Sequence, residues 1–240
     1  MEKETFVYYE TLKNRYPNVR ILTWKKEFNY SAINNFAVRE ARGEYLLFLN
    51  NDVEIITESW LEEMLQLCQQ KDVGMAGAKL YYPDDTIQHA GVVVGLGGVA
   101  AHVLCKLPRD AEGYMGRLRC GQEISAVTAA CMMVKTSVFK AVGGFDEELK
   151  VAFNDIDLCM KVRKYGVKIV FTPYAELYHY ESKSRGMEDT PEKQLRFSRE
   201  VNCFRRKWER ELLKGDPYYN PNLTLNNTDC SLRKQEKNGD

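Results

Sequence analysis

Three short stretches of this 240-residue chain gather acids, amides, a histidine and an arginine in patterns that can do chemistry. The first is YLLFLNNDVEII (45–56), an apolar run that breaks into Asn50, Asn51 and Asp52. Asn and Asp serve turns by hydrogen-bonding their own backbone. The tip of a buried strand is also where an α/β protein holds ligands. The second stretch is FNDIDLCMKVRKYG (153–166), with Asn154, Asp155 and Asp157 crowded at a helix start. One acid there caps free N–H groups and is favoured by the helix dipole. Two acids cannot share the cap, so one is expected to cap and the other to face a cleft. The third is LYHYESKSRG (177–186), where His179 precedes Glu181, Ser182, Ser184 and Arg185. Imidazole takes a metal and guanidinium forks onto phosphate oxygens, although a histidine on a strand is more often a satisfied core residue. Together these groups describe one site. Asp52 and His179 can share a divalent cation, Arg185 can hold phosphate, and a separate aspartate can act as base.

Such a site needs elements to position it, and helix and strand patterns alternate along the chain. Residues 4–17 read as a helix stopped by Pro17, followed by RILTW (20–24) as a short strand. Ser31 is placed to cap AINNFAVREA, which should close at Gly43 in a left-handed C-terminal conformation. YLLFL is a continuous apolar run, expected to be covered on both faces in the middle of the sheet. Ser59 and Glu62 form a capping box for WLEEMLQLCQQ, and VGMAGAKLYY (73–82) is the next strand. SAVTAACMMV (125–134) is small and β-rich, Thr136 caps a short helix, and the helix IDLCMKVRKYG ends at Gly166. KIVF (168–171) and ELYHY (176–180) follow as strands. From Thr190 and Pro191 a long helix runs to about residue 213, with Val201, Phe204, Trp208 and Leu212 on one stripe. After Pro217 the chain turns polar. The reading is one α/β domain over 1–215 with a helical C-terminal arm, and an extended, disordered tail over 216–240.

Bulk properties exclude several classes. Hydrophobic residues are 44% and charged residues 28%, an ordinary globular composition. Thirty-four basic and thirty-four acidic residues cancel, so no global field argues for nucleic acid. The cysteines at 68, 105, 120, 131, 159, 203 and 230 form no CxxC pair, which suggests reduced thiols and no zinc site. The N-terminus is charged at once and lacks an apolar signal core. The most apolar stretch, 91–104, is too short to span a bilayer. A soluble, cytoplasmic protein is expected. The long helix carries Arg205, Arg206 and six further cations over 193–214. Read functionally rather than as a solvated face, it would meet anionic lipid at the inner face of the membrane.

The matches EARGEYLLFLNND (40–52), SAVTAACMMVKTSVFKAVGGFDEEL (125–149), FNDIDLCMKVRKYG and LYHYESKSRG, in this order, resemble the family 2 glycosyltransferases. The ending DPYYNPNLTL (216–225) resembles the branch that builds rhamnose-containing and other bacterial surface polysaccharides. The resemblance implies a GT-A, Rossmann-like mixed sheet flanked by helices. It also implies an inverting transfer from a UDP- or dTDP-sugar to a saccharide or lipid-linked acceptor, assisted by Mn²⁺ or Mg²⁺. It places Asp52 on the metal at the family's DxD position, with Asn50 in place of the first Asp. It makes His179 the second metal ligand and Asp155 the base. Asn50, Asn51, Asn35 and Arg185 fall on the donor side, Asn154 and Asp157 on the acceptor side.

Family members open with a strand, a helix and a second strand that this sequence lacks, roughly forty residues judged by ordinary strand–helix–strand lengths. The expectation is an N-terminally truncated sheet with an exposed edge, open to self-association as a homo-oligomer. The alternative function is a catalytically inactive remnant that serves as a glycan- or protein-binding module, favoured by Asn50 and the missing strands. GVVVGLGGVAAHVL (91–104) and QHAG (88–91) either shape the acceptor side or form a core strand with a Gly-rich connection. His89 and His102 receive no role.

Overall fold

The computed structural model of the chain describes residues 3–181 and 190–234. Two helices, α1 (Lys3–Arg15) and α2 (Tyr30–Glu40), lead into β1 (Tyr45–Leu49) and β2 (Val53–Ile55). Then come α3 (Trp60–Gln69), β3 (Val73–Tyr81), β4 (Ile87–His89), β5 (Val92–Val94), β6 (Ala100–His102), β7 (Gln122–Glu123) and β8 (Cys131–Lys135). The remaining elements are α4 (Thr136–Ala141), α5 (Asn154–Tyr165), β9 (Lys168–His179) and α6 (Pro191–Lys214). The main sheet runs β1-β8-β3-β9-β2, with β4 on β3 and β7 on β9; β5 and β6 form a separate ribbon. Pairing in the main sheet is antiparallel except between β3 and β9. This is a mixed α/β sheet with helices on its faces, as expected.

β3 is the central strand and is buried at every position. Its neighbours approach closely because glycine leaves them room: a Cβ on Gly77 would stand 2.3 Å from Val127 Cγ1. Trp60, Met64 and Cys68 of α3 cover one face of the sheet, against Ala76, Ala78, Leu80 and Leu177. Burying a side chain such as Met64 contributes about 1.5–3 kcal/mol. The opposite face carries Met75, Met132, Val134 and Phe171, packed with Leu158 and Val162 of α5 and Phe204 and Trp208 of α6.

Several local expectations change. RILTW forms no strand, because no neighbouring strand pairs with it, and Leu22 is exposed. β1 lies at the edge of the sheet rather than in its middle, paired with β8 alone. Its burial therefore alternates, and Leu49 is 41% exposed. Asn29, not Ser31, caps α2 through its side chain, while Ser31 Oγ donates to Leu149 O at 2.6 Å. The two strands expected at 168–171 and 176–180 are the single strand β9.

α6 begins as expected, with the Thr190 hydroxyl accepting the Lys193 N–H. Its cations are partly committed: Arg205 Nε donates to Gly98 O at 3.2 Å, and Lys207 holds Asp146 and Asp157. Residues 216–234 are packed rather than an extended tail. Asp216 Oδ2 accepts the Val94 N–H at 2.8 Å, Thr228 O accepts the Leu104 N–H at 2.7 Å, and Tyr219, Leu223 and Cys230 are buried. Among the described residues, no helix is long and apolar enough to cross a membrane.

Candidate functional site

The turn that joins β1 to β2 is pinned at both ends. The Asn50 N–H donates to Ala130 O (3.0 Å) just before β8, and the Tyr180 N–H donates to Asp52 O (2.8 Å) just past β9. The turn therefore lies over the C-terminal end of β9, where His179 is the last residue. His179 Nε2 stands 3.3 Å from Asp52 Oδ1 and 3.2 Å from Asn50 Nδ2. Asn51 points outward and is exposed.

Gln88 of β4, which the sequence reading left outside the metal site, fixes the His179 ring. Its Oε1 accepts from His179 Nδ1 at 2.7 Å, and its Nε2 donates to His179 O at 3.1 Å. With the ring proton held on Nδ1, Nε2 presents its lone pair to Asn50 and Asp52. Asp52 Oδ1 is buried and accepts no hydrogen bond. A buried carboxylate oxygen without a donor, beside an imidazole lone pair, is unfavourable unless a cation joins the two. The donor set, one carboxylate oxygen and one imidazole nitrogen, suits a divalent metal. Among the described residues no third His, Cys, Asp or Glu completes a cluster, so further ligands would come from substrate oxygens and water. Gln88→Leu should weaken Mn²⁺ binding about 10–100-fold, the usual cost of losing an orienting partner. Calorimetry measures this directly, and unchanged affinity would remove Gln88 from the site.

Asp155 lies in the first turn of α5. Phe153, just before that helix, adopts a left-handed φ of 61°, a conformation that costs a non-glycine residue of order 1–3 kcal/mol. Its ring packs against Phe197 and Phe204 at 5.6 and 5.5 Å between centroids, which anchors the turn. Asp155 Oδ1 accepts the Ile156 N–H (2.9 Å), and Oδ2 accepts the Ala129 N–H (3.2 Å). The Tyr30 hydroxyl donates to Ala129 O at 3.2 Å. Burial, followed by the Asp155 charge, pushes the Tyr30 phenol well above its ordinary value, so it stays protonated. Ala129 and Ala130 thus support both halves of the site, Ala130 through Asn50 and Ala129 through Asp155.

Three expected site residues are engaged elsewhere. Asp157 is fully buried, accepts from Trp208 Nε1 (2.8 Å) and pairs with Lys207 (2.7 Å) and Lys161 (3.1 Å). It ties α5 to α6. Asn154 is 4% exposed, and its amide donates to Val151 O at 3.0 Å. Neither acid caps α5 from the N-cap position, which Phe153 occupies. Asn35 donates from Nδ2 to Phe145 O (2.9 Å) and Glu147 Oε1 (3.1 Å) and accepts the Phe145 N–H (3.0 Å). It clamps that loop to α2, which leaves no amide proton for a donor. Arg185, with Ser182 and Ser184, lies outside the described residues.

Comparison with known proteins supplies independent information. The model of the family described as "Glycosyl transferase family 2" matches residues 4–143. The uncharacterized protein y4gI of Sinorhizobium fredii (strain NBRC 101917 / NGR234) is 53% identical over 233 residues, 97% of this chain and 26% of that protein. The O-antigen biosynthesis protein RfbC of Myxococcus xanthus is 42% identical over 225 residues, 93% of this chain and 17% of that protein. The chain therefore spans about a quarter of the first of these relatives and about a sixth of the second. The mannosyltransferase PcManGT from Pyrobaculum calidifontis, solved with GDP-Man and Mn²⁺, shares the fold with a TM-score of 0.58 at 14% identity, over 87% of this chain and 52% of that one.

Proposed function

Because the chain belongs to glycosyl transferase family 2, whose model covers residues 4–143, we propose that it moves a sugar from a nucleoside-diphosphate donor to a saccharide or lipid-linked acceptor, with inversion, in building a surface polysaccharide. The observation that carries this reading is the joint support of Asp52 and His179 on one side and Asp155 on the other by Ala129, Ala130 and Gln88. Asp155 takes the proton of the attacking hydroxyl on a carboxylate oxygen whose orientation the Ala129 and Ile156 N–H groups set. Asp52 and His179 would hold a divalent cation, which when bound neutralises charge on the departing diphosphate. A single attack from the face opposite the leaving group inverts the anomeric centre. The O-antigen role of RfbC and the GDP-Man and Mn²⁺ held by PcManGT support the donor class and the metal.

Asn50 favours a second reading, an inactive binding module, because it leaves one carboxylate where the family resemblance implies two. Calorimetric titration with Mn²⁺ plus UDP, dTDP or GDP separates the two. Saturable binding is expected for one nucleotide, reduced at least tenfold by Asp52→Ala, since a metal ligand is lost. No heat from any nucleotide, in protein shown to be folded, would sink the transferase reading.

A further inference from the structure

His89 and His102 form a histidine pair, and His89 directly follows Gln88 in β4. His89 is completely buried, and its Nε2 accepts the Thr128 N–H at 3.4 Å. The next backbone N–H, that of Ala129, holds Asp155. Burial keeps the His89 ring far below its ordinary pKa, hence neutral, with its one proton on Nδ1. That Nδ1 stands 3.0 Å from His102 Nδ1, and the rings meet edge to face at 4.9 Å. Two ring nitrogens this close require one donor and one acceptor. His89 is already fixed as the donor, so His102 accepts on Nδ1 and carries its own proton on Nε2.

His102 ends β6 and is only half-buried. Burial lowers its proton affinity and the nearby His179 adds to this, against the opposing charges of Asp155 and Glu181 and the Gln88 backbone carbonyl. A neutral imidazole with a fixed N–H, beside a carboxylate that works as a base, suits a ligand that must both donate and accept. A sugar hydroxyl does this: its proton points to the carboxylate and its oxygen receives the N–H.

We infer that His102 Nε2–H donates to a saccharide hydroxyl oxygen beside Asp155, in a tautomer that His89 and the Thr128 backbone fix. The inference rests on the transferase reading for the identity of the ligand, while the tautomer follows from the hydrogen bonds and the burial of His89. The hydroxyl belongs either to an acceptor saccharide or to the sugar of the donor, and the two can be told apart.

The experiment uses the full chain labelled with ¹⁵N in its histidine rings, with Mg²⁺ rather than paramagnetic Mn²⁺. Long-range ¹⁵N–¹H spectra should show His89 protonated on Nδ1 and His102 on Nε2. Methyl glycosides of GlcNAc, galactose, glucose and rhamnose, then UDP-GlcNAc, GDP-mannose and dTDP-rhamnose, are added in turn, with bare nucleotides as controls. A saturable shift of His102 Nε2 with a methyl glycoside assigns an acceptor hydroxyl. A shift with a sugar nucleotide but not its nucleotide assigns the donor sugar. Both support the inference. His102 protonated on Nδ1, or a resonance that no sugar moves, overturns it. If no nucleotide moves His179 either, the transferase reading fails separately, and a glycoside response at His102 still stands. Where transfer is observed, His102→Ala should raise KM for the sugar it binds about tenfold with kcat little changed, about 1.4 kcal/mol for one lost hydrogen bond. His102→Gln, which offers an amide N–H near the same place, should recover most of that loss; no recovery would assign His102 to packing.

Discussion

Asp155→Asn is expected to cut sugar transfer about 10²–10⁴-fold, the usual worth of a positioned general base, while Mn²⁺-dependent nucleotide binding stays within about twofold of the parent because the substitution leaves Asp52 and His179 untouched. The argument is geometric. Two backbone N–H groups hold the carboxylate, one on each oxygen, which fixes its orientation. Those bonds still leave lone pairs on both oxygens, because each carboxylate oxygen carries two. Tyr30, whose hydroxyl donates to Ala129 O, is held too far above its ordinary pKa to replace it. Asn at this position can keep one N–H bond through its carbonyl oxygen but cannot take a proton. The fold should lose about 1 kcal/mol, the price of one weakened hydrogen bond. Transfer is measured with sugar nucleotides against a panel of methyl glycosides, and binding by calorimetry. If the variant transfers at the parent rate, Asp155 is a structural acceptor for the Ala129 and Ile156 amides, and the base lies elsewhere.

The residues of this site differed in how well they could be read beforehand. Asp52 and His179 stood out because acids and imidazoles at strand ends carry a chemical reason to be there. Asp155 stood out because two acids crowd one helix start. Gln88 did not, because an amide on a three-residue strand has no pattern of its own. Its role exists only through a bond to a residue 91 positions away. The same holds for Ala129 and Ala130, which act through backbone groups that every residue has. Fold elements divide along similar lines. β3 was legible because a long apolar run with small residues is characteristic of a central strand. α6 was legible because Thr190 and Pro191 give a local start signal. The edge position of β1 was not, because an apolar run reports burial on its faces and says nothing of which strands pair along its sides. RILTW failed for the same reason.

Asp157, expected on the acceptor side, sits in a buried charge network instead of an open face, and it carries the largest expected loss of stability. Asp157→Ala should destabilise the fold by about 3–5 kcal/mol, the usual result of removing one partner from a buried charge network. In a chain of this size that corresponds to a Tm lower by roughly 6–20 °C. Three groups each lose an acceptor at once: Trp208 Nε1, Lys207 and Lys161, of which Lys161 keeps the Gly144 carbonyl. The two ammonium groups are mostly buried, with 33% and 18% of their side chains exposed, so water compensates them only in part. Lys207 keeps Asp146, which limits the damage on that side. Burial is the largest single influence and raises the Asp146 carboxyl, but the Lys207 hydrogen bond and charge, the Glu148 N–H and the Lys161 charge together hold the group below its ordinary value. Asp157→Asn separates hydrogen bonding from charge. It retains an oxygen for the Trp208 N–H and gives up the charge on both lysines, so its loss should fall between that of Ala and the parent. An acceptor-binding role predicts the reverse pattern, a raised acceptor KM with an unchanged Tm. Thermal unfolding of the two variants beside their KM values therefore decides whether this acid binds substrate or joins α5 to α6. The geometry favours the second, since Asp157 is the point where α6 is fastened beneath the helix that presents Asp155.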